Sequence, residues 1–545
     1  MSPVRSILGV AALITALTAL SRLTGFARNL VLARTVGFNC LSDAYTTINT
    51  VPNILYEVVA GGALASLVVP LLAAAVDRGD RDTVNRTASA LLTWTVVVLV
   101  PLMLLVLALG GPIAVALLGD KGCGGSVAVA TDMLRIFAPQ VVLYGVGVVL
   151  VGVLQAHHRF VGPSIAPILS SVVVIGALVV FASLSPGSTD VDTLTATELG
   201  VLAGGTTLGV AALSLPLLVP LARSGVRLRP TFSFPLGLSA GARSLALAGV
   251  ATLVAQQLSV VVALRLSNSQ GAPPGTAAAY FQAQTMFFLP YAILAMPLAT
   301  SIFPRLAAAL GRDDHASYRR DLSASVRVVL LLCLAATAVL VTTAGPVARV
   351  IAQSAPGVPS VVPVQHGITA FAVGLTGFGL FAVLSRALYA SQRGRSAGAS
   401  IVAGWLAVGA ADVVLVGLAD AEDRVAALGL GNSVGMLVMV AGLLLAVRRT
   451  GGGALAGFGR TLAVGAAAGV PAVAAGLLLG RLVGDGSVLA ALVQGAAIGA
   501  LTLAVFGALC WALARRDLAD ALSTLRARGG DRDPAPATPG HDAVG

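Results

Sequence analysis

The sequence predicts an all-α polytopic membrane protein, and three observations support this prediction. Of the 545 residues, 57% are hydrophobic and only 10% are charged, whereas soluble domains are about a quarter charged. Mean hydropathy is +0.93. Apolar runs of about twenty residues recur along the chain, which is the length of a membrane-crossing helix, whereas barrel strands would alternate polar and apolar residues over about ten positions.

Fourteen apolar stretches are long enough to be spans. They cover residues 6–36, 43–76, 87–118, 127–156, 162–184, 196–221, 237–267, 276–310, 321–352, 363–391, 397–418, 425–447, 460–480 and 487–514. In an alternative interpretation the first stretch is a signal peptide that ends near Ser21, which would leave thirteen spans. The prediction is therefore fourteen transmembrane helices.

The placement of arginine tests this number, because short cytoplasmic loops carry the excess of positive charge. With the N-terminus inside, the predicted outer loops hold only Lys121, Arg424 and Arg481. The net charge of +11 thus reflects membrane orientation, and no nucleic-acid partner is expected. Both termini are predicted to be cytoplasmic, and residues 529–545, polar and rich in proline, are predicted to form a disordered cytoplasmic tail.

The chain also matches itself at one constant offset. This offset aligns Pro70, Gly111-Pro112 and Arg159 with Pro304, Gly345-Pro346 and Arg393. A shift of six helices keeps the membrane orientation, so the halves are predicted to be parallel repeats with a substrate site between them, exposed to each side in turn. The predicted units are an N-lobe at 1–222 (helices 1–6), a C-lobe at 237–447 (helices 7–12) and a terminal helix pair at 460–515.

Polar residues lie deep in the first span. Ser21, Arg22, Gly25, Arg28 and Asn29 fall within an arc of about 120° on a helix. An arginine at bilayer depth costs about 2.5–3.5 kcal/mol on insertion scales, so it requires a cavity, a partner or a function. Guanidinium groups match phosphate oxygens in geometry and charge, which favours a phosphate or diphosphate ligand.

The second span has a similar polar stripe. It consists of Thr46, Asn49, Asn53, Tyr56 and Glu57. Pro52 is expected to bend this helix. Facing stripes predict a water-filled, substrate-binding cavity, while the alternative is a buried structural ion pair, Arg28–Glu57 or Arg22–Glu57.

Three polar residues of the second half are further candidates. Gln256 and Gln257 could line the cavity from the C-lobe, although amides between packed membrane helices are often structural. Asp412, in the middle of the eleventh span, could bind a coupling ion or proton. A single carboxylate is a poor metal site, so no metal or cofactor is expected, and the energy source would be the membrane potential or a gradient of Na⁺ or H⁺.

Cys40 and Cys123 fall in predicted outer loops, where oxidation is permitted, so they form either a disulfide or two free thiols. The sequence contains no Walker loop, nucleophile elbow or His/Cys metal spacing. A transporter without nucleotide hydrolysis is therefore favoured over an enzyme, and no catalytic residue is assigned.

Several motifs resemble a known family. Ser21 to Asn29 reads SRLTGFARN, Asp43-Ala44-Tyr45 follows, and residues 51–55 read VPNIL. These resemble the start of the MurJ (MviN) family of lipid II flippases, and Phe303-Pro304-Arg305 extends the resemblance into the eighth span. The family belongs to the MOP superfamily, which includes the MATE exporters.

The resemblance implies a flippase that carries undecaprenyl-diphosphate-linked peptidoglycan precursor from the inner to the outer leaflet of the bacterial cytoplasmic membrane. It implies that Arg22 and Arg28 contact the diphosphate, that Asp43 and Asn53 shape the outer part of the cavity, and that the last two helices hold the lipid tail. The implied partners are lipid II or a related lipid, the bilayer and wall-synthesis proteins.

The chain departs from the family pattern at four positions. An acid is usual at the position of Asn29, and basic residues are usual at the positions of Tyr56, Glu57 and Thr285. The cavity is therefore expected to be less cationic, and a diphosphate clamp from the C-lobe is not implied. Flipping or export of another lipid-linked oligosaccharide or a small amphiphile remains an alternative. So do a membrane-embedded glycosyltransferase or polymerase and an inactive scaffold.

Overall fold

The computed structural model describes residues 3–58, 72, 75–119, 123–185, 190–233, 240–353, 355–357, 360–449, 453–482 and 487–526. These ranges contain helices and no β-strand. The helices are α1 (Pro3–Thr35), α2 (Cys40–Tyr56), α3 (Arg81–Ala108), α4 (Gly110–Leu118), α5 (Ser126–Phe137), α6 (Pro139–Ala156), α7 (Val161–Leu184), α8 (Ala196–Ser214), α9 (Leu218–Ala222), α10 (Ala240–Ser267), α11 (Thr276–Pro290), α12 (Met296–Gly311), α13 (His315–Ala352), α14 (Val362–Ala390), α15 (Gly394–Leu418), α16 (Arg424–Arg448), α17 (Phe458–Leu482) and α18 (Val488–Arg526).

Within the described ranges, twelve helical segments are long and apolar enough to cross a membrane. They correspond to the third to fourteenth predicted spans. The first two predicted spans are helical as α1 and α2 but are not among the twelve; most of 59–74 in the second span, and the predicted disordered tail at 529–545, lie outside the described residues. The chain is therefore a polytopic helical membrane protein, and the total of fourteen spans stays a prediction.

Proline and glycine divide several spans. The third predicted span breaks at Leu109, just before Gly110, which separates α3 from α4. The fourth predicted span breaks before Pro139, which separates α5 from α6. In the eighth span a π-helical turn, Tyr291–Ala295, joins α11 to α12 between two prolines. Proline removes a backbone donor and clashes with the preceding turn, which explains these interruptions.

The turns before α3 and α13, which the repeat offset aligns, share one geometry. Asp80 and Asp314 each cap the following helix by accepting a hydrogen bond from the backbone N–H three residues on, at 3.0 and 2.9 Å. Each follows a residue in the left-handed region, Gly79 (φ 70°) and Asp313 (φ 55°). The turns after α6 and α14 also match, through left-handed His158 and Gln392. The sequence repeat is thus repeated in backbone geometry.

Buried apolar side chains pack in four groups. The largest is built almost entirely from α10 to α16, and two others come from residues 36–221. The fourth joins α17 to α18, with Leu331 and Leu334 of α13 packed against it. The terminal helix pair therefore rests on α13, while the predicted lobe boundaries stay predictions.

Cys40 and Cys123 form a disulfide with their Cα atoms 6.0 Å apart. The bridge ties the first residue of α2 to the loop before α5. Cys333 and Cys510 are free and buried. Of the two alternatives that the sequence left open, the structure has the bridge.

Thiol counting tests this bridge. The denatured, non-reduced protein should react with maleimide at two cysteines, and at four after reduction. Because the bridge closes a long loop, with a sequence separation of 83, its loss in Cys40→Ser/Cys123→Ser should destabilise the protein by about 2–5 kcal/mol. Four reactive thiols before reduction would contradict it, and Cys333→Ser/Cys510→Ser is the control that should leave none.

Candidate functional site

A polar cavity of about 310 Å³ lies between α1, α2 and α11, with α6, α7 and α8 completing its wall. Its polar lining residues are Arg28, Asn29, Ser42, Tyr45, Thr46, Asn49, Thr50, Asn53, Tyr144, Ser170, Thr206, Gln282 and Thr285. Arg28 is the one charged residue among the lining residues described. The volume is at the lower end of the range for small-ligand sites, about 300–1,000 Å³.

Arg28 is half-buried in this wall. Among the described residues, no carboxylate lies within ion-pair distance of its guanidinium group. Neither Arg28–Glu57 nor Arg22–Glu57 is an ion pair, so the structural alternative considered from the sequence is not what the structure contains. A guanidinium group without an acid partner in a polar cavity can bind an anion.

Helix α11 reaches the cavity from the second half of the chain. The Asn29 side-chain amide donates to the Thr285 hydroxyl at 3.3 Å, and the Gln282 side-chain amide donates to the Asn29 backbone carbonyl at 2.8 Å. Thr285 thus bridges the halves through a hydrogen bond between neutral groups. The sequence analysis does not single out Gln282; its signal is an amide three residues before Thr285, next to the similar Gln284, in a mainly apolar span.

The structure places only part of the predicted set around the cavity. Arg28, Asn29, Asn49 and Asn53 line it. Ser21, Arg22, Gly25, Glu57, Gln256 and Gln257 are not among its lining residues. Arg22 is exposed and Gln257 is buried. The second half therefore contributes Gln282 and Thr285 of α11, and not the glutamines of α10.

Asp43 links the two halves at the predicted outer end of the cavity. Its carboxylate accepts hydrogen bonds from the backbone N–H groups of Gly275, at 2.7 Å, and Ala278, at 3.1 Å. These groups begin α11, where the helix dipole favours a negative charge. Asp43 is only 1% exposed and is not among the cavity-lining residues; these two hydrogen bonds cap α11.

Three more contacts close this end. Asn268 donates to the Thr47 hydroxyl at 2.9 Å, and the Phe38 backbone N–H donates to the Pro356 carbonyl at 2.9 Å. A Cβ atom at Gly275, whose φ is 84°, would lie 2.6 Å from the Phe38 carbonyl. Only glycine permits this approach, so the two halves of the chain pack backbone against backbone here.

Asp412 lies elsewhere, in the middle of α15. It is fully buried, and neither carboxylate oxygen has a hydrogen-bond partner among the described residues. A Cβ atom at Gly431 of α16 would clash with one of these oxygens, so glycine makes the room for the carboxyl. No group of three or more His, Cys, Asp or Glu residues suited to a metal occurs in the described part of the chain.

A helical membrane protein with a polar cavity between the two halves of an internal repeat has the architecture of a transporter. The family model described as lipid II flippase MurJ matches residues 32–488. The chain therefore belongs to the MurJ family.

Individual relatives agree with this assignment. The lipid II flippase MurJ of Burkholderia cenocepacia is 26% identical over 389 residues, which are 70% of this chain and 72% of the relative. The probable lipid II flippase MurJ of Synechocystis is 28% identical over 404 residues, 72% of this chain and 73% of the relative.

Solved structures share the fold. A lipid II flippase MurJ in an inward closed conformation matches with a TM-score of 0.73 and 17% identity, covering 93% of this chain and all of that one. An inward-facing MATE-family multidrug resistance transporter of the MOP superfamily matches with a TM-score of 0.62 and 15% identity, covering 79% and 94%.

Asp43→Ala should open the predicted outer end of the cavity. It removes two charge-assisted hydrogen bonds worth about 1.5–3 kcal/mol each. With Cys333→Ala, Cys510→Ala and Thr46→Cys in the background, an impermeant thiol reagent applied from outside should then label position 46 at least fivefold faster. Asp43→Asn, which keeps one acceptor oxygen, should fall between.

The matched control is Asp190→Ala, which removes another helix-capping aspartate from a predicted outer loop. It should leave the labelling rate at position 46 unchanged. Equal rates for Asp43→Ala and the parent protein would refute the sealing role of Asp43.

Proposed function

We propose that this protein flips lipid II, an undecaprenyl-diphosphate-linked peptidoglycan precursor, from the inner to the outer leaflet of the bacterial cytoplasmic membrane. Membership of the MurJ family and the names of the relatives support this assignment. The observation that carries it is the half-buried guanidinium group of Arg28, which has no acidic partner among the described residues and lies in a cavity shared by both halves.

A diphosphate fits this site by charge and geometry. The Arg28 fork can bind two phosphate oxygens, while Asn29, Asn49 and Asn53 supply amide groups around it. The polar headgroup would cross in the cavity, because hydrocarbon cannot satisfy its polar groups, and the polyprenyl tail would stay in the lipid. The closed volume suits the diphosphate, so the cavity must widen for the rest of the headgroup.

In the proposed transport cycle, the contacts around Asp43 close and open the predicted outer end of the cavity. With contacts around Asp43 closed, the cavity would load from the cytoplasmic side; parting of α2 from α11 would open it outward. The proposal includes fourteen spans, two pseudo-symmetric six-helix lobes and cytoplasmic termini. Helices α17 and α18 would hold the lipid tail, and no nucleotide would be hydrolysed.

Replacement of Arg28 tests the proposal. In cells depleted of their own flippase, Arg28→Ala should reduce outward movement of lipid II at least tenfold, because one charge-assisted contact with the diphosphate is lost. Arg28→Lys should restore part of the rate, since it keeps the charge but not the fork.

Arg135→Ala is the matched control, because Arg135 is exposed and pairs with nearby Asp132 on α5, at 2.7 Å. Membrane levels of all variants should be equal. Normal lipid II labelling on the outer surface with Arg28→Ala would contradict the assignment.

We further propose that Asp412 couples transport to an ion or proton gradient. A buried carboxylate without hydrogen-bond partners among the described residues is costly while charged, so it should take up either a proton or a cation such as Na⁺. A single carboxylate favours the proton.

Asp412→Asn should abolish the dependence of flipping on the gradient while leaving lipid II binding within twofold. The measurement is lipid II flipping in vesicles with an imposed pH or Na⁺ gradient. Asp132→Asn, an exposed acid on another helix, is the control. Flipping by Asp412→Asn that still follows the gradient would exclude this role.

A second candidate function is transport of another lipid-linked oligosaccharide or a small amphiphile. It is favoured by Thr285, since the described lining residues from the second half carry no charge at the cavity. If depletion of this protein blocks capsule synthesis or drug export while wall synthesis continues, this candidate replaces lipid II flipping.

A further inference from the structure

A second cavity, of about 540 Å³, lies in the second half of the chain. It is at the end of the helices opposite to the contacts of Asp43 with α11, on the side that the arginine distribution predicts to be cytoplasmic. Its walls are the end of α12, the first turns of α13 and the turn between α14 and α15. The lining includes Leu310, His315, Tyr318, Arg319, Ala390 and Arg393. None of them lines the transport cavity.

The lining is basic. Among the described residues, no carboxylate lies within ion-pair distance of His315, Arg319 or Arg393. Arg393 donates one hydrogen bond, to the Arg449 backbone carbonyl at 3.2 Å, which leaves its other donors available. The carboxylate of Asp314 is directed into the first turn of α13 as its cap.

The walls are held in place before any ligand binds. The buried Tyr318 hydroxyl donates to the Ala387 backbone carbonyl at 3.1 Å and ties α13 to α14. The Arg393 backbone N–H donates to the Leu388 carbonyl at 2.8 Å. The two arginines are therefore presented from helices whose spacing is fixed.

The first half of the chain uses the equivalent positions differently. The alignment that places Pro70 on Pro304 also places Asn85 on Arg319. The Asn85 side-chain oxygen accepts a hydrogen bond from the Arg227 backbone at 2.9 Å, so in the first half that position binds the protein's own chain. Arg319 has no hydrogen-bond partner among the described residues, so a free cation replaces an engaged amide.

The surroundings indicate the kind of anion. Tyr389 is 44% exposed at the end of α14, next to the cavity, as expected for an aromatic ring at headgroup level. Leu310 and Ala390 give the cavity an apolar side. Basic pockets between membrane helices on the cytoplasmic side suit lipid phosphates, and the volume is sufficient for a small headgroup.

We propose that this cavity binds the phosphodiester headgroup of an anionic phospholipid of the inner leaflet, with Arg319 and Arg393 as the phosphate contacts. The lipid would bridge the α12–α13 turn to the α14–α15 turn, two segments that rigid-body motion of the second half carries together. This inference rests on the predicted orientation and is independent of which substrate is transported.

Native mass spectrometry of the full-length protein tests the proposal, with phosphatidylglycerol and phosphatidylcholine as probes. Phosphatidylglycerol should bind with higher affinity than phosphatidylcholine. Each arginine near an anionic lipid contributes about fivefold in affinity, so Arg319→Gln/Arg393→Gln should weaken phosphatidylglycerol binding at least tenfold. Binding of phosphatidylcholine should not change. Arg319→Gln alone, expected to lose about fivefold, keeps the test valid if the double variant does not fold.

The matched control is Arg320→Gln/Arg395→Gln, which removes two arginines from neighbouring positions that do not line the cavity. It should retain phosphatidylglycerol within twofold. An equal loss in both double variants would show unspecific attraction and overturn the proposal, as would equal binding of the two lipids. Displacement of phosphatidylglycerol by millimolar glycerol 3-phosphate would assign the cavity to a soluble phosphate and overturn the lipid assignment.

Discussion

The structure depends on the cost of holding a positive charge away from bulk water. In an apolar, lysine-poor chain, Arg28 is tolerated at depth because α1, α2 and α11 supply a cavity with polar walls. Next to the cavity the helices pack closely, and Gly275 lies against the Phe38 carbonyl. The same desolvation cost explains why the site would favour a phosphate over a neutral ligand, since an anion offsets the charge of the half-buried guanidinium group.

The internal repeat gives the two halves similar turns but different tasks. Around Gly110 the third span of the first half breaks into α3 and α4, whereas α13 continues without interruption through the matching Gly345-Pro346. Helix α13 is also the helix on which the terminal pair packs, with the Thr342 hydroxyl 3.1 Å from that of Thr502. The aligned Gly-Pro pairs therefore follow a helix break in the first half and lie inside a continuous helix in the second.

The sequence predicted the helical spans because these depend on local hydropathy, and it predicted the repeat because aligned residues are identical. It predicted the site only in part. Arg22 shares an arc with Arg28, yet the two lie about 9 Å apart along the helix axis. A helical projection omits the position along the helix axis. It therefore places Arg22 at the cavity together with Arg28, whereas of these two arginines Arg28 alone lines it. Asp43 and Gln282 show the other limit, because their partners are backbone groups from the opposite half of the chain. Backbone groups have no residue signature, so side-chain types cannot reveal such pairing.

The energetics of the closure at Asp43 constrain the transport cycle. Its two charge-assisted hydrogen bonds contribute about 3–6 kcal/mol together, which is comparable to the roughly 5.5 kcal/mol that moves a two-state equilibrium from 1:99 to 99:1. Moving one charge through about 100 mV supplies only about 2.3 kcal/mol. In the proposed cycle, a single coupled charge would therefore be too weak to open this end, and binding of an anionic cargo at Arg28 would supply part of the free energy for outward opening.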